Sequence, residues 1–278
     1  MLFERNYYCL VAGLREYALD AEAKGFDAEA IREEILEGIS AADARLVRLL
    51  YGYYDCENLI AAYAGRKSHN PLGKLSADEV REALQNPEHL SAPLAAVVRA
   101  YRNPDSEDAE TVDTSLRFEK NLLEAYYGLC AASKSRFLRA WSNFDRTLRN
   151  IVAAATARAA GRDTAAVTVG ADDVTERLHR SSAADFGLRG ELSYMDAVIA
   201  AVNEERNVME KEHKIDLIRW NESAELTTGD YFNIDAVLAY LVRINIVARW
   251  SLLDRERGRR LFGELLRELD AKEKINKQ

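Results

Sequence analysis

The sequence is poor in proline, and the little it has is gathered in one place. Pro71, Pro87, Pro93 and Pro104 are its four prolines, and none follows Pro104. Proline removes a backbone donor and clashes with the preceding helical turn. Residues 66–110 therefore read as short helices and turns, and residues 112–278 as long helices joined by short glycine-bearing breaks. Cysteine is equally scarce. Cys9, Cys56 and Cys130 are far apart, odd in number and without a CxxC pair, which argues against a disulfide framework or a cysteine zinc site. They read as small buried hydrophobes in a reducing cytosol. The four histidines, His69, His89, His179 and His213, have no histidine or cysteine three or four residues away. No helix then presents a paired metal face, and His179 and His213 sit in charged surroundings that read as solvated helix faces. No apolar run reaches the roughly 18–20 residues needed to span a bilayer. The start, Met1 to Asn6, lacks the basic and apolar regions of a secretory signal.

Catalytic signatures are missing too. There is no GxxxxGK[ST] phosphate loop and no GxSxG elbow. Asp185-Phe186-Gly187 matches the magnesium-binding tripeptide of protein kinases in letters only. No GxGxxG loop or HRD-like loop accompanies it, so it reads as a helix end, with Gly187 and Gly190 permitting a turn. The adjacent acids Asp172-Asp173 and Glu33-Glu34 point to different sides of a helix, which suits a surface or first turn rather than acid–base work. The expectation is a protein without catalytic chemistry, metal or cofactor.

What is present supports helices. The chain has 278 residues and 48% hydrophobic composition, enough for one large domain or two or three small ones. The net charge of -8, from 46 acids against 38 bases, disfavours broad binding to nucleic acid phosphates. Ser40–Asp43, Ser76–Glu79 and Ser193–Asp196 each place an acid three residues after a serine, as a helix start requires. Apolar residues recur at helical spacing at Leu46, Leu49, Leu50, Tyr53 and Tyr54, and again at Val237, Leu238, Leu241, Val242, Ile244 and Val247. Gly65, Gly161 and Asn103 are stop signals. Tyr7–Ala12 and Val167–Val169 are the only short strand candidates, and no real sheet is expected. The aromatics Tyr51, Tyr53, Tyr54, Tyr126, Tyr127, Trp141 and Phe144 fall among leucines and read as core. Asp254–Arg260 is a short basic cluster. Its Arg255, Arg257, Arg259 and Arg260 are candidates for contact with an acidic partner or anionic lipid, against a plain solvated face.

A weak repeat runs through the chain. Asn58–Arg66 can be laid over Asn150–Arg158, and less well over Asp235–Arg243. Each copy has a polar start, an apolar-alanine stretch and an arginine eight positions on, as the packing helix of a recurring bundle would.

Tyr7–Leu14, Tyr53–Leu59, Ala184–Leu188 and Lys214–Trp220 resemble a bacterial family of unknown function whose genes tend to lie in V/A-type ATPase clusters. That likeness covers most of the chain, which is also similar, more faintly, to the C-type subunit of those ATPases (d-type in eukaryotes). Asp55-Cys56-Glu57-Asn58-Leu59 echoes that family's Asp-x-x-Asn-Leu helix. Phe232–Leu241 followed by Leu261–Leu266 resembles its ending. The chain departs from it where Asp145 and Asn150 stand five apart, where Ile246–Trp250 replaces the usual stretch, and in its shorter length. The resemblance implies three related helical subdomains forming a funnel, which seats the central rotor stalk on the membrane ring.

The expected architecture is therefore all-α: helical bundles, two or three related subdomains, funnel-like or elongated, with divisions at 1–110, 111–190 and 191–278. The expected role is a non-catalytic subunit, cytoplasmic and peripheral to the inner face of the membrane. Its partners would be stalk and ring subunits, not nucleic acid. The alternatives are an assembly factor or regulator of the same ATPase, a helical interaction module of unrelated role, or a helical enzyme whose site is assembled from distant acids and arginines.

Overall fold

The computed structural model describes residues 6–19, 25–204 and 207–253. Among these there are twelve α-helices, one short 3-10 turn at Pro87–His89 and no strand. In chain order the helices are α1 (Tyr8–Gly13), α2 (Ala28–Gly38), α3 (Ala41–Tyr63), α4 (Ala77–Gln85), α5 (Ala92–Arg102) and α6 (Glu107–Thr111). Then come α7 (Phe118–Ala131), α8 (Arg136–Ala159), α9 (Asp173–Arg180), α10 (Met195–Val202), α11 (Val208–Glu225) and α12 (Ile234–Leu252). The chain is all-α. No helix among the described residues is long and apolar enough to cross a membrane.

Local chemistry explains most helix starts. Ser76 and Glu79 form a complete capping box at α4. Ser40 accepts from the Asp43 amide at α3, but the Asp43 carboxylate reaches back to the Ser40 hydroxyl, at 2.8 Å, and not to its amide. The Tyr7 hydroxyl takes that place: it accepts from the Ser40 amide at 3.1 Å and donates to the Asp43 carboxylate. Ser193 caps nothing. Helix α10 starts one residue later than that pattern implies, with Tyr194 at its cap and no side-chain bond, and Asp196 pairs with Arg189 at 2.7 Å.

The proline-free half is less uniform than expected. Helices α8, α11 and α12 run to 24, 18 and 19 residues, but α9 and α10 between them have eight residues each. Glycines at positive φ do the breaking there, at Gly161, Gly170 and Gly187. Asp185–Gly187 is not a helix end. It is a turn between α9 and α10, with Phe186 at φ 54°. Burial of the Phe186 ring beneath the Arg158 guanidinium, 4.0 Å away, holds that conformation.

Three apolar clusters form the interior. The first joins the end of α3 to α4, α5 and α7 through Cys56, Leu59, Val80, Val98, Leu122 and Tyr126. The second joins α2, the start of α3, the start of α8 and α12 through Ile35, Val47, Tyr51, Phe137, Leu238 and Leu241. The third joins the rest of α8 to α9, α10 and α11 through Leu148, Ile151, Leu178, Val198 and Ile218. Helices α3 and α8 thus each thread from one cluster into another, and Leu49 and Trp141 pack against two clusters at once.

The repeat is visible as construction. Helices α3 and α8 begin on serine caps 95 residues apart, Ser40 and Ser135. Both end at a glycine with positive φ, Gly65 and Gly161. The next amides return to the helix in the same way, Arg66 to Ala61 and Arg162 to Ala157, both at 2.8 Å. Each helix then holds the loop that follows with one buried asparagine. Asn58 exchanges two hydrogen bonds with the Asn70 backbone, at 3.0 and 2.6 Å. Asn150 does the same with the Val169 backbone, at 2.7 and 2.9 Å. Short helices α4 and α9 follow. The asparagines are 92 residues apart, so the second clasp sits about one turn nearer its helix start. The third stretch, at α12, works differently. Buried Asp235 accepts from the Ser135 hydroxyl at 2.6 Å and the Phe137 amide at 3.2 Å, and so caps the start of α8.

A charged cavity at the junction of five helices

Where α3, α7, α8, α11 and α12 meet, together with the loop after α3, they line a partly open cavity of about 750 Å³. Its position follows from the three clusters. Each long helix turns an apolar stripe to a cluster and leaves a more polar stripe facing inward. From α3 come Tyr53, Tyr54 and Glu57; from α7, Tyr127; from α8, Trp141, Asp145 and Arg149; from α11, Glu212, Asp216 and Arg219; from α12, Asn245 and Arg249. Arg66 and His69 reach it from the exposed loop after α3.

The charges are ordered into a chain. The Tyr127 hydroxyl donates to Asp145 at 2.9 Å, and Arg219 donates to the other Asp145 oxygen at 3.0 Å. Arg219 also donates to Asp216 at 3.0 Å. The second Asp216 oxygen accepts from Arg249 at 2.8 Å and from the Trp250 indole at 2.9 Å. Arg249 continues to Glu212. Four helices are tied by this one network, and Asp216, at its centre, is only 2% exposed. A carboxylate that deep is tolerable because both oxygens are engaged by donors. Burial opposes the Arg219 charge, yet Asp145 and Asp216 override it and hold its pKa well above the usual arginine value. Arg249 is raised in the same way, chiefly by Asp216 and Glu212 against burial.

Glu57 is the exception. It accepts from the Asn70 side chain at 2.8 Å, but no arginine is bonded to it. Burial raises its carboxyl above the usual carboxylate value, against the help of that hydrogen bond and of Arg219. Beside it the Tyr53 phenol is raised by the same burial, and the charges of Glu57, Asp145, Arg219 and Arg149 all act on it.

The model of the family described as "Protein of unknown function (DUF2764)" matches residues 5–273. The chain belongs to that family. No curated protein and no solved structure matches it.

In this DUF2764 member two of the four stretches that carried the resemblance meet at the cavity, while Tyr7–Leu14 and Ala184–Leu188 lie away from its lining. Tyr53–Leu59 supplies Tyr53, Tyr54, Glu57 and Asn58, and Lys214–Trp220 supplies Asp216 and Arg219. The stretch Ile246–Trp250, read as a departure, supplies Arg249 and the Trp250 donor. Tyr53, Tyr54, Tyr127 and Trp141, expected to serve only as core, are cavity walls. His213 is not simply solvated: it is half-buried, with its ring edge-on to Trp250 at 5.2 Å. Arg255, Arg257, Arg259 and Arg260 lie outside the described residues. Among the described residues no group of three or more metal-ligating side chains comes together. The network residues come from distant segments, and only the i, i+3 spacing of Asp216 and Arg219 was visible in the sequence.

Proposed function

We propose that the chain is a non-catalytic component of a V/A-type rotary ATPase, resembling the C-type subunit in its place between central stalk and membrane ring. The observation that carries this reading is the repeated unit of long helix, asparagine-clasped loop and short helix at α3–α4 and α8–α9, packed with long α12 around a central cavity. That construction suits related subdomains arranged as a funnel. The buried ion-pair chain across four helices supports a mechanical role, because packed helices joined by directional bonds deform little under load. In this reading no side chain performs bond chemistry, and the membrane is approached only through partners.

The test is a tagged purification from native membranes in mild detergent, with quantitative mass spectrometry. Stalk and ring subunits at near-equal amounts support a stable coupling role. ATPase subunits recovered far below unit stoichiometry, or only with immature complexes, move the role to an assembly factor or regulator. A clean chain without ATPase subunits overturns the proposal.

A second reading rests on a different observation. Acids, arginines and tyrosines from five helices converge on a space of about 750 Å³, a size suited to small-molecule sites. Such convergence is the mark of a ligand site or of an enzyme built from distant residues. Tight retention of a small molecule through purification, lost in Arg219→Met, favours this reading over the coupling role.

A further inference from the structure

A second, smaller cavity of about 140 Å³ lies on the far side of Arg149 and Glu119, which line both spaces. Its walls are the first turn of α7, the second half of α8 and the loop at 166–169. Its charged residues are Arg117, Lys120, Arg149 and Glu119, three cations against one acid. The most buried of the three, Arg149, is not fully satisfied. The Arg149 side chain is only 21% exposed and pairs with Glu119 through Nη2, while its Nη1 is buried without a hydrogen-bond partner. A buried guanidinium nitrogen left bare is costly and calls for an acceptor. Lys120 reaches the Ala165 carbonyl at a long 3.4 Å, and its charge also acts on Asp113. Arg117 is the cap residue of α7, and Arg117, Glu119 and Lys120 line the cavity, so the positive end of that 14-residue helix lies beside it, the Lys120 amide being already bonded to the Arg117 carbonyl at 3.0 Å.

The geometry points to an oxyanion site here, built for a phosphoryl group carried by inorganic phosphate or by a small phosphate ester. The excess of two positive charges matches a dianion. Arginine supplies directed donors, and lysine supplies a mobile point charge. The space exceeds that of one water several-fold but is too small for a nucleotide base, so only the charged head is held. Glu119 is the built-in competitor: it occupies one Arg149 nitrogen and repels the incoming anion. The site is independent of the coupling role proposed above.

Isothermal titration of the full chain with inorganic phosphate and with glycerol 3-phosphate tests this, at constant ionic strength set with chloride. Saturable binding is expected, weakened about tenfold in Lys120→Gln and in the exposed Arg117→Gln, and tightened in Glu119→Gln. The preferred probe identifies the source, free phosphate or ester; either outcome supports the site. Circular dichroism melts check that each variant folds. Heat changes that chloride reproduces overturn the proposal, as does an affinity that none of the three substitutions moves.

Discussion

Arg219 on α11 donates to Asp145 on α8 at 3.0 Å, and both side chains are largely buried, 20% and 11% exposed. This pair joins the third apolar cluster to the cavity, and through Tyr127 to the first. Its partners lie 74 residues apart in sequence, so it forms only when the bundles have assembled.

Removing the arginine should therefore be severe. Arg219→Met leaves Asp145 without its cation and Asp216 with one fewer. The expected loss is about 3 kcal/mol in urea unfolding, at the lower end for a broken buried pair because Tyr127, Arg249 and Trp250 remain. Adding Asp145→Asn should cost less than the sum of the two single changes, as expected for coupled neighbours. Additive losses would show that the two do not interact.

The asparagine clasps should matter more than a surface amide. Asn150→Ala leaves the Val169 amide and carbonyl buried without partners, for a cost of about 1–3 kcal/mol per unmet group. Hydrogen exchange should report local opening of the 164–172 loop first. Protection there equal to wild type would deny the clasp its role.

Gly73 tests the first clasp from the other side. A Cβ at this position would lie 2.5 Å from the Asn58 side-chain nitrogen and 3.0 Å from an Asp55 oxygen. Asp55 in turn accepts the Lys74 and Leu75 amides at 2.7 and 3.0 Å. Gly73→Ala should destabilise by about 1–3 kcal/mol through overpacking, measured by thermal or urea unfolding.

Glu57 gives a pH dependence with a definite sign. Burial raises its folded pKa above the unfolded value. Its contribution is therefore fully present below the ordinary carboxylate range and is lost as pH rises through the folded pKa. Glu57→Gln keeps an acceptor for Asn70 and removes the buried charge. This variant should be more stable than wild type at neutral pH, with the difference shrinking as pH falls below the carboxylate range. Equal stability at neutral pH would remove the burial cost.

The thiols should separate cleanly. Cys9 is exposed, whereas Cys56 and Cys130 are buried. Burial pushes the Cys130 thiol up to about 12, with Tyr126 donation opposing, and raises Cys56 further by burial beside Asp55. A thiolate reagent should label Cys9 rapidly in the native chain and the other two only on unfolding.

Much of the fold was legible because its signals are local. The serine caps at Ser40 and Ser76, the stops at Gly65 and Gly161, and the apolar spacing along α3 and α12 depend on neighbours within one or two turns. Ser193 misled: its Asp196 pairs with Arg189, and α10 starts after Tyr194 with no side-chain cap. The cavity was nearly invisible. Tyr53 and Tyr127 have the spacing of core residues, and a stripe facing a polar cavity looks in sequence like a stripe facing a cluster.

The sequence by itself determined the all-helical class and the positions of most helix starts and stops, because capping and periodicity are properties of adjacent residues. Its family membership rests on the whole stretch of residues 5–273. Only the tertiary structure decided that Asp145, Asp216, Arg219 and Arg249 would share one network. Their order around the cavity is set by how three clusters pack, and a charge brought in from another helix has no local signature.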